Sequence, residues 1–484
     1  MRSHAECALD LIPARASYAD VRVVRQRHEG VVVENEAPVQ VVDEASSGIG
    51  LRVLIDGQWG FAATSDLEPA AIERAVGRAV DQASAAGGPR SRLAPADVVR
   101  DSWESPCQQD PFDVPLSERV DLLLRASAGM RRAGPAVLSA QASIDLFRTD
   151  KVFASSEGSL IEQRITETGG GLLATAGNGD DVQRRSYPQS VPRAILGQRG
   201  DFATAGWEQI ERIGLDAQGE RVGEEAVALL SAPECPSGTT TLIVSPTQMA
   251  LLIHETFGHP AELDRVLGGE ASLSGGSYMR PEDRGSLRIG SEIVNVTADA
   301  TLPGGLGSFG YDDEGVPAQS TPVVRDGIFS GYLSSRGSAA ELGERSSGAA
   351  RADGWQRIPL VRMTNLSLEP GTTPIEEIIA GTRHGILVDM NRSVSIDDQR
   401  RSFRFGSEVG WEIRDGKLGQ MLKNCTFRGD SIGFWRSCDA VADAASWRLW
   451  GIPSCNKGEP LQVAHLGHGT VHARFRDVAV GVGR

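Results

Sequence analysis

The chain is poor in lysine, in cysteine and in long apolar runs, and each shortage removes a class of protein. Of its 484 residues only four are lysine (Lys151, Lys417, Lys423 and Lys457), the other basic residues being arginine. Against 64 acidic residues the 49 basic ones leave a net charge of −15. That balance excludes a nucleic-acid backbone as the main partner and stable adhesion to anionic lipid, because both need a basic face. No apolar run approaches the eighteen or so residues of a membrane span; residues 249–253 form one of the longest. No apolar core follows the opening residues, so the expected compartment is the cytoplasm. The six cysteines (Cys7, Cys107, Cys235, Cys425, Cys438 and Cys455) show no Cys-x-x-Cys or disulfide-like spacing, which predicts reduced thiols. No repeat of 20–50 residues is visible. The glycines 169–171 lack the Lys-Ser/Thr ending of a phosphate-binding loop and read as a turn.

What is present is an ordinary globular composition, 40% hydrophobic and 23% charged, on a length that predicts two to four domains. The 56 glycines follow no collagen period and point to many turns. Residues 18–27 and 30–42 alternate as strands, and residues 51–55 and 59–64 flank an Asp56-Gly57 hairpin turn. Helices are predicted after Asp66, with Ile72, Val76 and Val80 on one face, over 117–132 and over 220–230. Strand signals return over 137–185, punctuated by turns at 156–158 and 177–179. Pro233 and Pro236 mark a boundary, giving an α/β domain over 1–232 and a strand-rich domain over 233–484. The fold class is α+β throughout.

The main helix of the second half is predicted over 246–257. Ser245 is placed to cap it, Pro246 occupies its first position, and Gln248 completes a capping-box spacing. Its end carries His254-Glu255-Thr256-Phe257-Gly258-His259. Neutral imidazoles are zinc ligands, and a neighbouring carboxylate can take a proton from an activated water. In a regular helix, however, residues five apart are rotated by roughly 140°. Both histidines meet one metal only if the helix widens or unwinds between them. Gly258 permits an irregular backbone and Pro260 blocks normal continuation. The glycine- and serine-rich stretch 268–277 reads as a long loop or a flap.

At these residues the chain resembles the TldD/PmbA family of peptidases, on its TldD-like, metal-carrying side. In the first half the resemblance rests on Gly50-Leu51-Arg52-Val53 and Asp56-Gly57-Gln58-Trp59-Gly60-Phe61. In the second it rests on the histidine motif, Tyr311-Asp312-Asp313-Glu314-Gly315, Arg362-Met363-Thr364-Asn365 and Cys455-Asn456-Lys457. It implies an N-terminal α/β domain, a β-rich C-terminal domain, and Zn²⁺ held by His254, His259 and Cys455 with Glu255 as catalytic base. It also implies a dimer, of like chains or with a PmbA-like chain that lacks the motif. Asn456 departs from the family's usual glycine after the cysteine, which leaves the backbone there open, although asparagine tolerates left-handed geometry.

Other residues carry alternatives. His465, His468 and His472 are a fourth ligand, a substrate contact or an oxyanion donor, or else exposed loop histidines. His4, His28 and His384 are isolated and read as structural or solvated. Asp312, Asp313 and Glu314 grip a substrate amine or a second cation, or form a solvated turn. Arg362 clamps an anionic group bidentately or is buried against one of those acids. Tyr311, Arg362, His465 and His468 are the candidate substrate contacts.

The expected function is zinc-dependent hydrolysis of short unfolded peptides or peptide precursors through a metal-activated water. Hydrolysis of an amide in a peptide-like small metabolite is the enzymatic alternative. A non-catalytic zinc-bearing subunit of a heterodimer is the other, and an intact Glu255 argues against it.

Overall fold

Four strands of 17 to 19 residues dominate the first half: Tyr18–Glu34, Ala37–Ile55, Val137–Ser155 and Leu160–Gly177. The computed structural model describes residues 1–190, 200–269 and 275–483. At about 3.3 Å per residue such strands run to roughly 55–60 Å, long enough for one sheet to carry two hydrophobic cores. At one end Val21, Val23, Ile49 and Leu51 pack under helices Arg2–Asp10 and Pro69–Ala85. At the other end Val31, Val33, Ile144 and Leu146 pack under helices Leu116–Arg131 and Leu215–Ser231. The order across the sheet is Gln58–Thr64, Ala37–Ile55, Tyr18–Glu34, Val137–Ser155, Leu160–Gly177 and Arg100–Glu104. All these pairings are antiparallel except the last.

Two sequence expectations fail here. Residues 27–30 do not break a strand: Tyr18–Glu34 runs straight through them, and the chain reverses at Asn35 and Glu36 with φ of 49° and 63°. The polar residues between the two expected strands are satisfied by neighbouring elements, His28 by Asp145 on the adjacent strand at 2.8 Å and Glu29 by Arg119 of helix Leu116–Arg131 at 2.7 Å. Gly169–Gly171 is likewise not a turn but the middle of Leu160–Gly177. A Cβ on Gly169 would lie 2.2 Å from the Phe202 ring, and one on Gly170 2.6 Å from the Ser143 carbonyl oxygen. Glycine is there for close approach. The Asp56-Gly57 turn is as expected, with both residues at positive φ.

The second half holds two large sheets around one core, besides the small pair Ala350–Arg351 and Leu360–Val361. The first has the order Ile328–Phe329, Ser320–Arg325, Val296–Asp299, Asn365–Leu368, Gln462–Thr470, Arg448–Lys457. In the second, His384–Ile396, Gly238–Val244, Ala473–Val482, Cys425–Asp430 and Ser402–Arg414 pair in turn, and the last pairs back to the first, closing a ring of strands. Helix Pro246–Ile253 packs against His384–Ile396 of the ring and Gln462–Thr470 of the open sheet. It is buried on every side, which accounts for its run of Met249, Ala250, Leu251, Leu252 and Ile253. This placement aims the helix's C-terminal end at the ribbon formed by Arg448–Lys457 and Gln462–Thr470.

Candidate metal centre

Ser245 caps the helix as expected, its Oγ accepting the Gln248 N–H at 3.4 Å, and Pro246 takes the first turn. The reciprocal half of the capping box is not made. The Gln248 side chain accepts from the Ser407 hydroxyl at 3.0 Å, and the Ser245 hydroxyl donates to Asp389 at 2.6 Å.

At His254–Gly258 the helix widens into a single π-turn, closed by the His259 N–H donating to the His254 carbonyl. A five-residue repeat is what a π-turn supplies, so it brings His254 and His259 onto one face. The wide turn is pinned from outside. The Tyr278 hydroxyl donates to the Thr256 carbonyl at 2.6 Å, and the Trp435 indole N–H to Thr256 Oγ1 at 2.9 Å. Gly258 has ordinary helical dihedrals, φ −62° and ψ −63°, so its role is not an irregular backbone. A Cβ there would sit 2.0 Å from Met363 Sδ; the glycine makes room for that side chain. Pro260 then enters a 3₁₀ turn, His259–Ala261, that ends the helix.

The two imidazoles converge with the thiol of Cys455, on strand Arg448–Lys457. His254 Nε2 lies 3.1 Å from His259 Nε2, and Cys455 Sγ lies 3.5 Å from the first and 3.7 Å from the second. A tetrahedral zinc ion with usual bond lengths needs N···N near 3.3 Å and N···S near 3.6 Å (about, from bond lengths of 2.0–2.1 and 2.3 Å). The donor set therefore fits a zinc-sized ion in both chemistry and spacing. All three side chains are buried. The backbone at Asn456 is extended, without positive φ, so the departure from glycine costs nothing there.

The charge states also suit a metal. Burial pushes His254 down to about 4 and lowers His259, leaving both imidazoles neutral. Burial opposes ionisation of Cys455, but the Arg362 guanidinium and His259 outweigh it and bring the thiol below its ordinary range. Arg362 is buried and donates to the carbonyls of Cys455 at 2.5 Å and Gln462 at 3.2 Å. It pairs with no acid among the described residues, and both terminal nitrogens are taken by these carbonyls; it is a positive charge set behind the Cys455 thiol.

Each histidine is held from behind. His259 Nδ1 is 3.0 Å from Glu262 Oε2, and Glu262 is gripped by Lys457 at 3.2 Å and Arg265 at 3.3 Å. These cations and His259 keep the buried Glu262 carboxyl well below its usual range against the opposing effect of burial. His254 Nδ1 is 2.9 Å from His468 Nε2. His468, fully buried in strand Gln462–Thr470, is thus neither an exposed loop histidine nor a fourth ligand nor a substrate contact, since its ring backs His254. Glu255 stands beside the cluster, largely buried, in an ion pair with Arg400. Sequence reasoning did not find Glu262 or Arg400. The three-residue spacing from His259 was a signal for the first; Arg400, 145 positions from Glu255, offered none.

The acidic trio is not a solvated turn. Asp312, Asp313 and Glu314 are all buried. Asp313 pairs with Lys151 at 2.7 Å, Glu314 with Arg52 at 3.2 Å, and Asp312 accepts three backbone N–H groups. Burial and the neighbouring Glu314 push Asp312 up to about 8. Tyr311 and His465 line a separate cavity, the tyrosine donating to Asp101 and the histidine pairing with Glu167 at 2.7 Å. His28 lines it too and is not isolated. All six cysteines are free thiols. The stretch 268–277 lies partly outside the described residues. No helix among the described residues is long and apolar enough to cross a membrane.

Comparison with known proteins gives this geometry a context. Three family models match the chain: PmbA/TldA metallopeptidase domain 1 over residues 19–83, the central domain over 109–230, and the C-terminal domain over 237–481. A protein named metalloprotease from Methanothermobacter thermautotrophicus is 32% identical over 471 residues, 97% of this chain and 96% of that one. A protein named zinc metalloprotease TldD homolog from Saccharolobus solfataricus is 22% identical, covering 96% of this chain and 97% of its own. The crystal structure of TldE from Thermococcus kodakarensis superposes with a TM-score of 0.70 at 17% identity, covering 99% of both chains, and so shares the fold. With three family models along it and 97% of its length matched at 32% identity, the chain belongs to the PmbA/TldA (TldD-like) family and is a metallopeptidase.

Proposed function

We propose that the chain is a zinc-dependent peptidase acting on short unfolded peptides or peptide precursors, with His254, His259 and Cys455 as ligands and Glu255 as general base. The observation that carries this reading is the convergence of three donor atoms at 3.1, 3.5 and 3.7 Å beside a carboxylate. The name of the Saccharolobus relative supports zinc as the metal.

A zinc ion bound there supplies Lewis acidity, polarising a carbonyl and acidifying water. Glu255 accepts the proton of the attacking water and passes it to the leaving amine. Arg400 fixes the direction of that carboxylate through their ion pair. With both Nε2 atoms turned to the ion, the His259 Nδ1–H donates to the Glu262 carboxylate and the His254 Nδ1–H would donate to His468 Nε2, contacts that orient both rings. Arg362 offsets the charge of the Cys455 thiolate. A dimer that limits access to extended peptides belongs to the same proposal.

The test is a peptide-library digest with the metal-loaded protein, before and after chelation, alongside metal analysis and sedimentation. Chelation should abolish cleavage of unstructured peptides, zinc should restore it, and folded proteins should resist. Stoichiometric zinc with no hydrolysis, alone or with a PmbA-like chain, would favour a structural role for the metal.

A further inference from the structure

A cavity of about 680 Å³ lies between the long N-terminal sheet and the Arg448–Lys457/Gln462–Thr470 ribbon. That volume falls within the range of small-molecule sites. None of His254, Glu255, His259 or Cys455 lines it. Along strand Gln462–Thr470 successive side chains alternate between faces, so His465 points away from the face that presents His468 to the metal centre.

The wall is aromatic. The rings of His28 and Phe147 stack with centroids 4.4 Å apart, and His465 meets the Phe147 edge at 4.8 Å. Tyr311 and Phe309 add two more rings. The polar groups are unequally matched. The lining carboxylates are engaged by donors of the protein: Asp313 by Lys151 and the Ala352 N–H, Asp312 by backbone N–H groups, Glu167 by His465, Asp353 by the Val463 N–H. Glu44, exposed at the rim, is the exception. Two lining guanidiniums are not matched in this way. Arg351 donates only through Nη1, to the carbonyls of His465 at 2.7 Å and Met363 at 3.3 Å. Arg22, 1% exposed, donates to the carbonyls of Gly354 and Arg357, and its buried Nε has no hydrogen-bond partner. Neither is ion-paired to a carboxylate among the described residues. What these two guanidiniums lack is a carboxylate partner of their own, and a guanidinium takes a carboxylate in a paired geometry.

We propose that this cavity is a second binding site, distinct from the metal centre, for a small carboxylic acid bearing an aromatic or apolar group, with Arg351 and Arg22 receiving the carboxylate and Phe147, His28 and His465 receiving the ring. The site is built by both halves of the chain. It does not depend on the metal-ligand assignment.

The test is calorimetric titration of the full-length, metal-loaded protein with N-acetylphenylalanine and with its primary amide. The acid should bind and the amide should bind at least tenfold more weakly. Arg351→Met should weaken the acid at least tenfold and Phe147→Ala should weaken both probes. Chelated Cys455→Ser protein should bind the acid as the unaltered protein does. Equal affinity for acid and amide in the unaltered protein, or no binding of either at millimolar concentration, would overturn the proposal without requiring any variant to fold. Loss of acid binding on chelation alone would overturn it too, by assigning the carboxylate to the metal.

Discussion

Glu262 holds the imidazole of His259 from behind, its Oε2 3.0 Å from Nδ1, while Lys457 and Arg265 hold Glu262. A carboxylate in that position orients a ligand ring and raises its basicity. Glu262→Gln should therefore weaken zinc binding about 10- to 100-fold, measured by competition with a chromophoric chelator. Unchanged affinity would show that the contact is only structural.

Glu255 is adjacent to His254, one of the proposed ligands, but outside the donor cluster. Glu255→Gln should keep stoichiometric zinc and lose roughly 100- to 10,000-fold in peptide turnover, the scale of general-base catalysis. Metal analysis showing loss of zinc in this variant would make Glu255 a ligand instead of a base.

Gly258 is packed against Met363. Gly258→Ala should destabilise the fold by about 1–3 kcal/mol through overpacking and weaken metal binding by disturbing the turn. In the double variant with Met363→Ala, the alanine at 258 should cost little beyond Met363→Ala itself. Additive losses in denaturant unfolding would contradict this contact as the cause.

The buried histidines should make the metal-free protein acid-sensitive. His254 has a folded pKa of about 4, below its unfolded value near 6.5. Its contribution to stability is full above that unfolded value and is lost as pH falls toward 4, on the order of 3 kcal/mol. Unfolding of chelated protein at pH 7 and pH 4.5, compared with His254→Gln, isolates this effect. The unaltered protein should lose more stability than the variant over that interval; parallel losses would contradict neutral burial of His254.

The site was partly legible because some of its physics is local. Ser245, Pro246 and the five-residue His254–His259 spacing, with Pro260 after it, announced a capped helix that had to widen or unwind, and the π-turn is the first of these. Cys455 was not legible from spacing, since 196 positions separate it from His259 and only the sheet brings them together; a family resemblance supplied it. The acidic trio misled because adjacent carboxylates look solvated until distant cations such as Lys151 and Arg52 are placed against them. Residues 27–30 misled in the same way, as polar side chains whose partners lie on a neighbouring strand and helix.

The central claim, that Cys455 completes a metal centre with His254 and His259, is tested most directly by cobalt substitution. A cobalt-loaded protein should show a strong sulfur-to-metal charge-transfer band in the near ultraviolet. Cys455→Ser should remove it, while Cys425→Ser and Cys438→Ser should leave it intact. A missing band in the unaltered protein, or one that survives in Cys455→Ser, would contradict the assignment.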